Sequence, residues 1–198
     1  ETTDIAMDVK SIVQRWVSGS IQNNGFILKH SFGVEEDTND YGIIKLFGKE
    51  TNTIHQPKLR IGWDDSSFST GSLIQLTASD IKVGFSNFKK YLKVNTKPKL
   101  RVVGRELYPQ KTFSSQFEYN SSNYLPETTY YQIRDYHSDD IIIPFSDYSK
   151  VSCDSNGNYF QLDLHNWEVE RVYKIEIKVD RDGISEYFDG DYTFRVVE

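Results

Sequence analysis

Four histidines, one cysteine and an excess of carboxylates are the residues in this chain with the means to do chemistry. His30, His55, His137 and His165 never fall at the i, i+2 or i, i+4 spacing that preforms a metal-binding pair, so each is expected as an ordinary strand or turn residue. Cys153 has Asp154 beside it and His165 downstream. A nucleophilic thiolate needs positive surroundings, which an adjacent carboxylate opposes. Cys153 is therefore expected as a small buried residue of a strand over 150–153. A single cysteine also excludes an internal disulfide and a thiolate metal site. The Gly-x-Ser-x-Gly turn that exposes a serine nucleophile is missing.

The carboxylates cluster in "EEDTND" (35–40), "DRDG" (180–183) and "DGD" (189–191), which carry oxygen ligands of the kind calcium uses. None completes the twelve-residue calcium loop, and the run from Asp180 lacks the later ligands and the closing glutamate. Asp182-Gly183 reads better as a hairpin turn. Calcium binding stays open only for the loop of Glu35, Glu36, Asp37 and Asp40, which would have to supply most of six to eight oxygens. Glycosidase chemistry needs two carboxylates at a set separation in a cleft, which acids spread along the sequence do not define. Tyr130, Tyr131, Tyr136, Tyr148 and Trp167 have rings that could stack on sugars. Alternation along "TYYQIRDY" (129–136) puts Tyr131 and Ile133 on one face and Tyr130 and Gln132 on the other, so one tyrosine of the adjacent pair faces out. These residues imply no catalytic, cofactor-binding or metal-binding set and no cofactor. The expectation is a non-enzymatic protein.

What positions these residues is sheet. The chain has 198 residues, enough for one large or two small domains, since domains most often run to about 100–150 residues. Apolar residues make up 37%, which is low, but 13 Tyr and 12 Phe supply large rings that let a thin core suffice. A net charge of −6, with Lys and Arg spread along the chain, argues against nucleic acid as partner, because binding phosphates needs a clustered basic face. No apolar run approaches the roughly 20 residues of a membrane-spanning helix.

Segments rich in β-branched and aromatic residues, each bounded by Gly, Asn, Asp or Pro, predict strands. They are "NGFILKHSF" (24–32), "YGIIKLFGKE" (41–50), "PKLRIGWDD" (57–65), "DIKVGFSNF" (80–88), "KPKLRVVGREL" (97–107) and "YYQIRDY" (130–136). They continue with "DIIIPFSDY" (140–148), "NYFQLDLHNW" (158–167), "RVYKIEIKV" (171–179) and "YTFRVVE" (192–198). Pro144 confines its strand to an edge or a bulge. The long polar loop over 108–127 has the length of a functional or mobile segment. "DDSSFSTGS" (64–72) reads as a linker or domain edge. One stretch differs. Val9, Ile12, Val13, Trp16 and Val17 fall on one helical face, with Asp8 placed to cap the start and Gly19 placed to end it.

That helix begins a pattern. The residues Asp8, Val9, Val13 and Trp16, then Asn24, Gly25, Phe26 and Leu28, then Phe47, Gly48, Glu50, Pro57, Leu59, Ile61 and Trp63, resemble the C-terminal half of a DNRLRE domain. The resemblance covers about the first third of the chain and lacks the family's N-terminal strands. It implies a jelly-roll-like β-sandwich of extracellular and surface proteins, some of which bind polysaccharide, and no catalysis. It also implies that the chain is an excerpt whose complementary sheet is supplied by other protein. The helix is then expected to plug the open end of the sandwich with Val13 and Trp16 inward and Lys10 and Arg15 outward. The remaining two thirds, in "PKLRVVGRELYPQKTF", "YLPETTYYQIRD", "IIIPFSDYSKVSCDSNGNYFQLDL" and "RVYKIEIKV", resemble Ig-like modules of tailed-bacteriophage virion proteins.

The expected organisation is an all-β chain of antiparallel sandwiches. Residues 1–65 form the C-terminal part of a DNRLRE-like sandwich, 66–78 a linker, and 79–198 an Ig-like sandwich. The expected role is structural or adhesive within a larger assembly, a tailed-phage virion first, with other subunits as partners. A carbohydrate-binding module of a secreted or cell-surface polysaccharide-active protein is the alternative.

Overall fold

In "VYKIEIKVDR" every second side chain is apolar, which dictates a strand greasy on one side and wet on the other. The structure, a computed structural model, describes residues 5–39, 45–51, 57–109 and 123–198, and places that strand at the centre of a sheet. The chain forms two compact units, Glu1–Lys58 and Leu59–Glu198. Among the described residues no helix is long and apolar enough to cross a membrane.

The second unit is an all-β sandwich. Its strands are β1 (Ile74–Gln75), β2 (Ile81–Phe85), β3 (Tyr91–Lys93), β4 (Lys99–Glu106), β5 (Asn123–Tyr124) and β6 (Thr129–Asp135). They continue with β7 (Ile141–Ile143), β8 (Ser152–Asp154), β9 (Gly157–Gln161), β10 (Val172–Arg181) and β11 (Ile184–Val197). One sheet has the order β3-β11-β10-β6-β7 and is antiparallel except where β11 meets β3; the other, β2-β4-β9-β8, is antiparallel throughout. β1 and β5 form a two-residue parallel pair. β7 stops before Pro144 at the edge of its sheet, where a missing N–H costs least.

Alternation builds the core. Tyr173, Ile175, Ile177 and Val179 of β10, Tyr131 and Ile133 of β6, and Phe194 and Val196 of β11 are buried. They belong to one buried cluster with Ile81 and Val83 of β2, Leu100 and Val102 of β4, and Phe160 of β9. The Tyr131 ring lies on Phe160 at 4.1 Å and 10°, an aromatic contact between the two sheets. Gly104 of β4 is demanded by closeness: a Cβ there would stand 2.5 Å from Leu125 and 3.0 Å from Leu76. The Asn158 amide, fully buried, accepts from the Leu125 N–H at 2.7 Å and donates to its carbonyl at 3.3 Å, tying the segment after β5 onto β9.

Residues 66–78, read as a linker above, run along this sandwich. The Ser69 N–H bonds the Cys153 carbonyl, the Cys153 N–H bonds the Ser67 carbonyl, and Leu76 lies in the core. β11 begins at Ile184, eight residues before the strand expected from "YTFRVVE". Asp182 (φ 51°) and Gly183 (φ 77°) form the two-residue turn from β10 to β11, with both residues left-handed as a type I′ turn requires.

The first unit holds α1 (Lys10–Val17) and the single turn α2 (Phe32–Glu35). Asp8 accepts the Lys10 N–H at 2.9 Å. The helix ends in a Schellman arrangement, with Gly19 at φ 72°, its N–H on the Trp16 carbonyl and the Ser20 N–H on the Arg15 carbonyl. Its apolar face does not plug a core. None of its residues is buried, Ile12 and Val17 are exposed, and half-buried Trp16 meets Phe26 at 4.8 Å. The expected strand over 24–32 carries no ladder, and its last residue, Phe32, opens α2. Phe26, Ile27 and Leu28 are all exposed, so neither face of this stretch is buried. Residues 45–50 carry no ladder either, and 41–44 lie outside the described residues. The expected strand over 57–65 carries no strand pairing.

Ile133 is fully buried on β6 between β10 and β7. Ile133→Ala is expected to lower the unfolding free energy by about 2–5 kcal/mol, through lost burial and a residual cavity, as read by urea denaturation.

Candidate functional site

The same alternation that fills the core sorts the other side chains onto the outer face of the five-stranded sheet. From β10 come Lys174, Glu176, Lys178 and Asp180; from β6, Tyr130, Gln132 and Arg134; from β11, Tyr187 and Asp189. Register sets Lys178 opposite Tyr130 on one side and Tyr187 on the other, so two rings flank one ammonium in a row across three strands. Lys178 Nζ stands 4.7 Å from the Tyr130 ring centre and 5.9 Å from that of Phe145, whose ring meets Tyr187 edge-on at 5.8 Å. Tyr187 is 65% exposed.

Polar groups border the rings. Lys178 Nζ reaches Asp180 Oδ2 at 2.8 Å, and the Ser185 hydroxyl donates to Asp180 Oδ1 at 2.6 Å. Lys174 pairs with Asp189 at 2.5 Å, and Arg134 with Glu176 at 3.5 Å and Asp139 at 3.0 Å. The Asp180 hydrogen bond raises the Lys178 ammonium above its ordinary range, and the Asp189 bond does the same for Lys174. Burial pushes Asp180 up, but the bonds from Lys178 and Ser185 outweigh it and hold the carboxyl low. Across the face, Arg134, Lys174 and Lys178 are each paired, with Asp139, Glu176, Asp180 and Asp189 as their partners.

Of the five rings singled out from the sequence, Tyr130 alone joins this row. Tyr131 is buried, and burial lifts its hydroxyl to about 12. Trp167 packs edge-on to Tyr173 at 4.6 Å and beside Phe194 at 6.1 Å, as part of the core margin. Tyr136 is exposed beside His137, and exposed Tyr148 packs on Gly62. Lys178, Phe145 and Tyr187 were not singled out. The signal for Tyr187 was the Asp182-Gly183 turn, since a type I′ hairpin obliges the residues after it to form a strand.

The remaining candidates resolve into structure. "DGD" is a bulge of β11: Ile177 pairs with Phe188 and Ile175 with Tyr192, which leaves Asp189, Gly190 and Asp191 opposite Glu176. Cys153 is 1% exposed, and burial raises its thiol, with Asp154 adding to the rise. His30 is exposed, the His165 ring bonds Asp163, and the His137 N–H donates to Asp135 at 2.9 Å; His55 lies outside the described residues. Buried Asp135 also accepts the Ser138 N–H and the Arg171 guanidinium, which caps the turn after β6. The calcium candidate falls partly outside the described residues, with Asp40 and the Glu35 side chain both beyond them; Asp37 accepts from Asn39 at 2.7 Å. Most of the long polar loop, 110–122, lies outside them too. Among the described residues no three His, Cys, Asp or Glu side chains gather as a metal site.

A second surface is apolar. In the stretch 57–65, which carries no regular secondary structure, Leu59, Ile61 and Trp63 alternate in the sequence and are 56%, 70% and 53% exposed.

On the outer face of the four-stranded sheet, Asp154 takes both guanidinium nitrogens of Arg101 at 2.8 and 2.9 Å and Lys99 Nζ at 2.7 Å. Lys99 in turn sits 3.5 Å over the Tyr159 ring. Arg101, chiefly, holds the Asp154 carboxyl well below its ordinary 3.8. Because the folded value is the lower one, this network stabilises fully above 3.8, and its contribution falls away as the pH drops through and below that value. Asp154→Asn is expected to cost about 1–3 kcal/mol at pH 7 and to flatten the loss of stability between pH 5 and pH 2, read by urea denaturation across that range. Cys153 is expected to react with a thiol reagent such as Ellman's only as fast as the sandwich unfolds. The chain matches no family model, no curated protein and no solved structure.

Proposed function

We propose that the chain is a non-enzymatic structural or adhesion component of a larger protein assembly, with a tailed-phage virion as the setting. The observation that carries this reading is the stretch 57–65. It has the composition and alternation of a strand, yet it pairs with no strand and leaves Leu59, Ile61 and Trp63 exposed. An isolated soluble protein gains by covering such a stripe, at roughly 25 cal/mol per Å² of apolar surface. A strand of a neighbouring subunit laid against it covers the side chains and satisfies the backbone at once. Exposed Ile12, Val17, Phe26, Ile27 and Leu28 in the first unit supply further surface of the same kind. The DNRLRE-like residues Leu59, Ile61 and Trp63 fall within this stripe.

Sedimentation velocity of the chain, alone and mixed with the products of neighbouring genes, tests this. The expected result is a complex or oligomer that the triple variant Leu59→Ser, Ile61→Ser, Trp63→Ser loses without any shift in the unfolding midpoint of the sandwich. A monomer in every mixture, with the amides of 59–63 protected from exchange by the chain's own backbone, would overturn the reading.

A further inference from the structure

We infer that the outer face of β6, β10 and β11 around Lys178 is a binding site for the pyranose rings of a neutral polysaccharide. The site uses none of the side chains that carry the assembly reading, so the two stand or fall separately. Three observations lead to it.

The first is the disposition of the rings. Tyr130 and Tyr187 sit one strand away on either side of Lys178, so their strands are roughly 10 Å apart, twice the interstrand spacing. The Phe145 ring lies between them, 5.9 Å from Lys178 Nζ and 5.8 Å from the Tyr187 ring, so the row is a continuous surface of rings. Tyr187, the most open of the three at 65% exposure, offers the ring on which the apolar C–H face of a pyranose packs. Phe145 stands edge-on to it and extends the apolar surface toward Lys178.

The second is what borders the rings. Asp180 holds Lys178 with one carboxylate oxygen and Ser185 with the other. A sugar bearing neighbouring hydroxyls can donate to the carboxylate and accept from the ammonium without leaving either group unpaired. β10 is bonded along both edges, so these groups are already fixed and binding need not order them.

The third is charge. The face pairs Arg134, Lys174 and Lys178 with Asp139, Glu176, Asp180 and Asp189, which leaves no free cation among these groups to draw a polyanion. So many charged groups also suit a protein partner poorly, because the core of a protein interface is depleted in charge. Flat rings amid balanced hydrogen-bonding groups match a neutral sugar.

The test is native gel electrophoresis through soluble neutral polysaccharides (a mixed-linkage β-glucan, a xylan and a galactomannan), with alginate as the acidic comparison. The chain is expected to be retarded by at least one of the neutral polymers. Tyr187→Ala should weaken that binding by about tenfold or more, and Tyr187→Phe should keep it, because the ring makes the contact. Tyr187 is exposed, so both variants should unfold at the wild-type midpoint, and the serine triple variant at Leu59, Ile61 and Trp63 should bind as wild type does. Three results would each overturn the inference. They are no retardation by any neutral polymer, equal retardation of wild type and Tyr187→Ala, or binding to alginate alone that disappears with added salt.

Discussion

β10 is hydrogen-bonded along both edges, to β6 over 173–179 and to β11 from Val172 to Arg181. Everything else in the sandwich depends on that double ladder. Side chains alternate across a strand, so fixing the register of β10 fixes which residues go inward in three strands at once. A slip of one residue would carry Lys174, Glu176 and Lys178 into the core and turn Ile175, Ile177 and Val179 out to water. Burying even one such charge unpaired costs several kcal/mol, so the alternative register is not a competitor. The Asp182-Gly183 turn sets one ladder. The bulge at Asp189–Gly190–Asp191 takes up the mismatch further along, so that Tyr192 and Phe194 return to the core side.

The strands that read clearly in the sequence are those whose alternation is unbroken. In β10, "YKIEIKV" has one pattern and one solution, and β6 and β4 follow the same logic; Asp182-Gly183 and the stop at Pro144 were equally plain. What failed to show did so for identifiable reasons. The first half of β11 was lost because the bulge interrupts its period. β1, β3 and β5 have two or three residues each, too few to carry a pattern. Asn87 lies two residues past Phe85, where alternation would continue the inward face of β2. Instead its amide bonds the β4 backbone, accepting from Arg101 at 2.9 Å and donating to Lys99 at 3.3 Å. The stretches 24–32 and 57–65 have strand composition without strand pairing, because a side-chain pattern states which face is apolar but not what will cover it.

The outer-face row shows the same limit from the other side. Local alternation put Tyr130 and Tyr131 on opposite faces, so that one of the pair had to face out. The grouping of Tyr130 with Phe145, Lys178 and Tyr187 could not be read this way, because these lie 15, 48 and 57 positions further along the chain and only the register across β6, β10 and β11 brings them together. Trp167 illustrates the opposite error. A large ring near a polar turn looks available, but Tyr173 and Phe194 offer it apolar surface, and the ring turns to meet them.

The two surfaces of the second unit pose different physical demands. A partner for 57–65 has to cover three apolar side chains and also meet a backbone that pairs with no strand, whose N–H and C=O groups need partners wherever water is excluded. Sugar rings have no means to do that in register, whereas another strand does so by construction. The outer face of β6, β10 and β11 reverses both conditions. The N–H and C=O groups of β10 are spent within the sheet, so a ligand there meets side chains only, and those side chains are rings set among ions already paired. Covering them with an apolar protein surface would strip water from Lys178–Asp180 and Lys174–Asp189 and offer nothing in return. A hydroxyl-bearing ring replaces that water with hydrogen bonds of its own, so the proposed partner strand and the proposed sugar answer opposite physical demands.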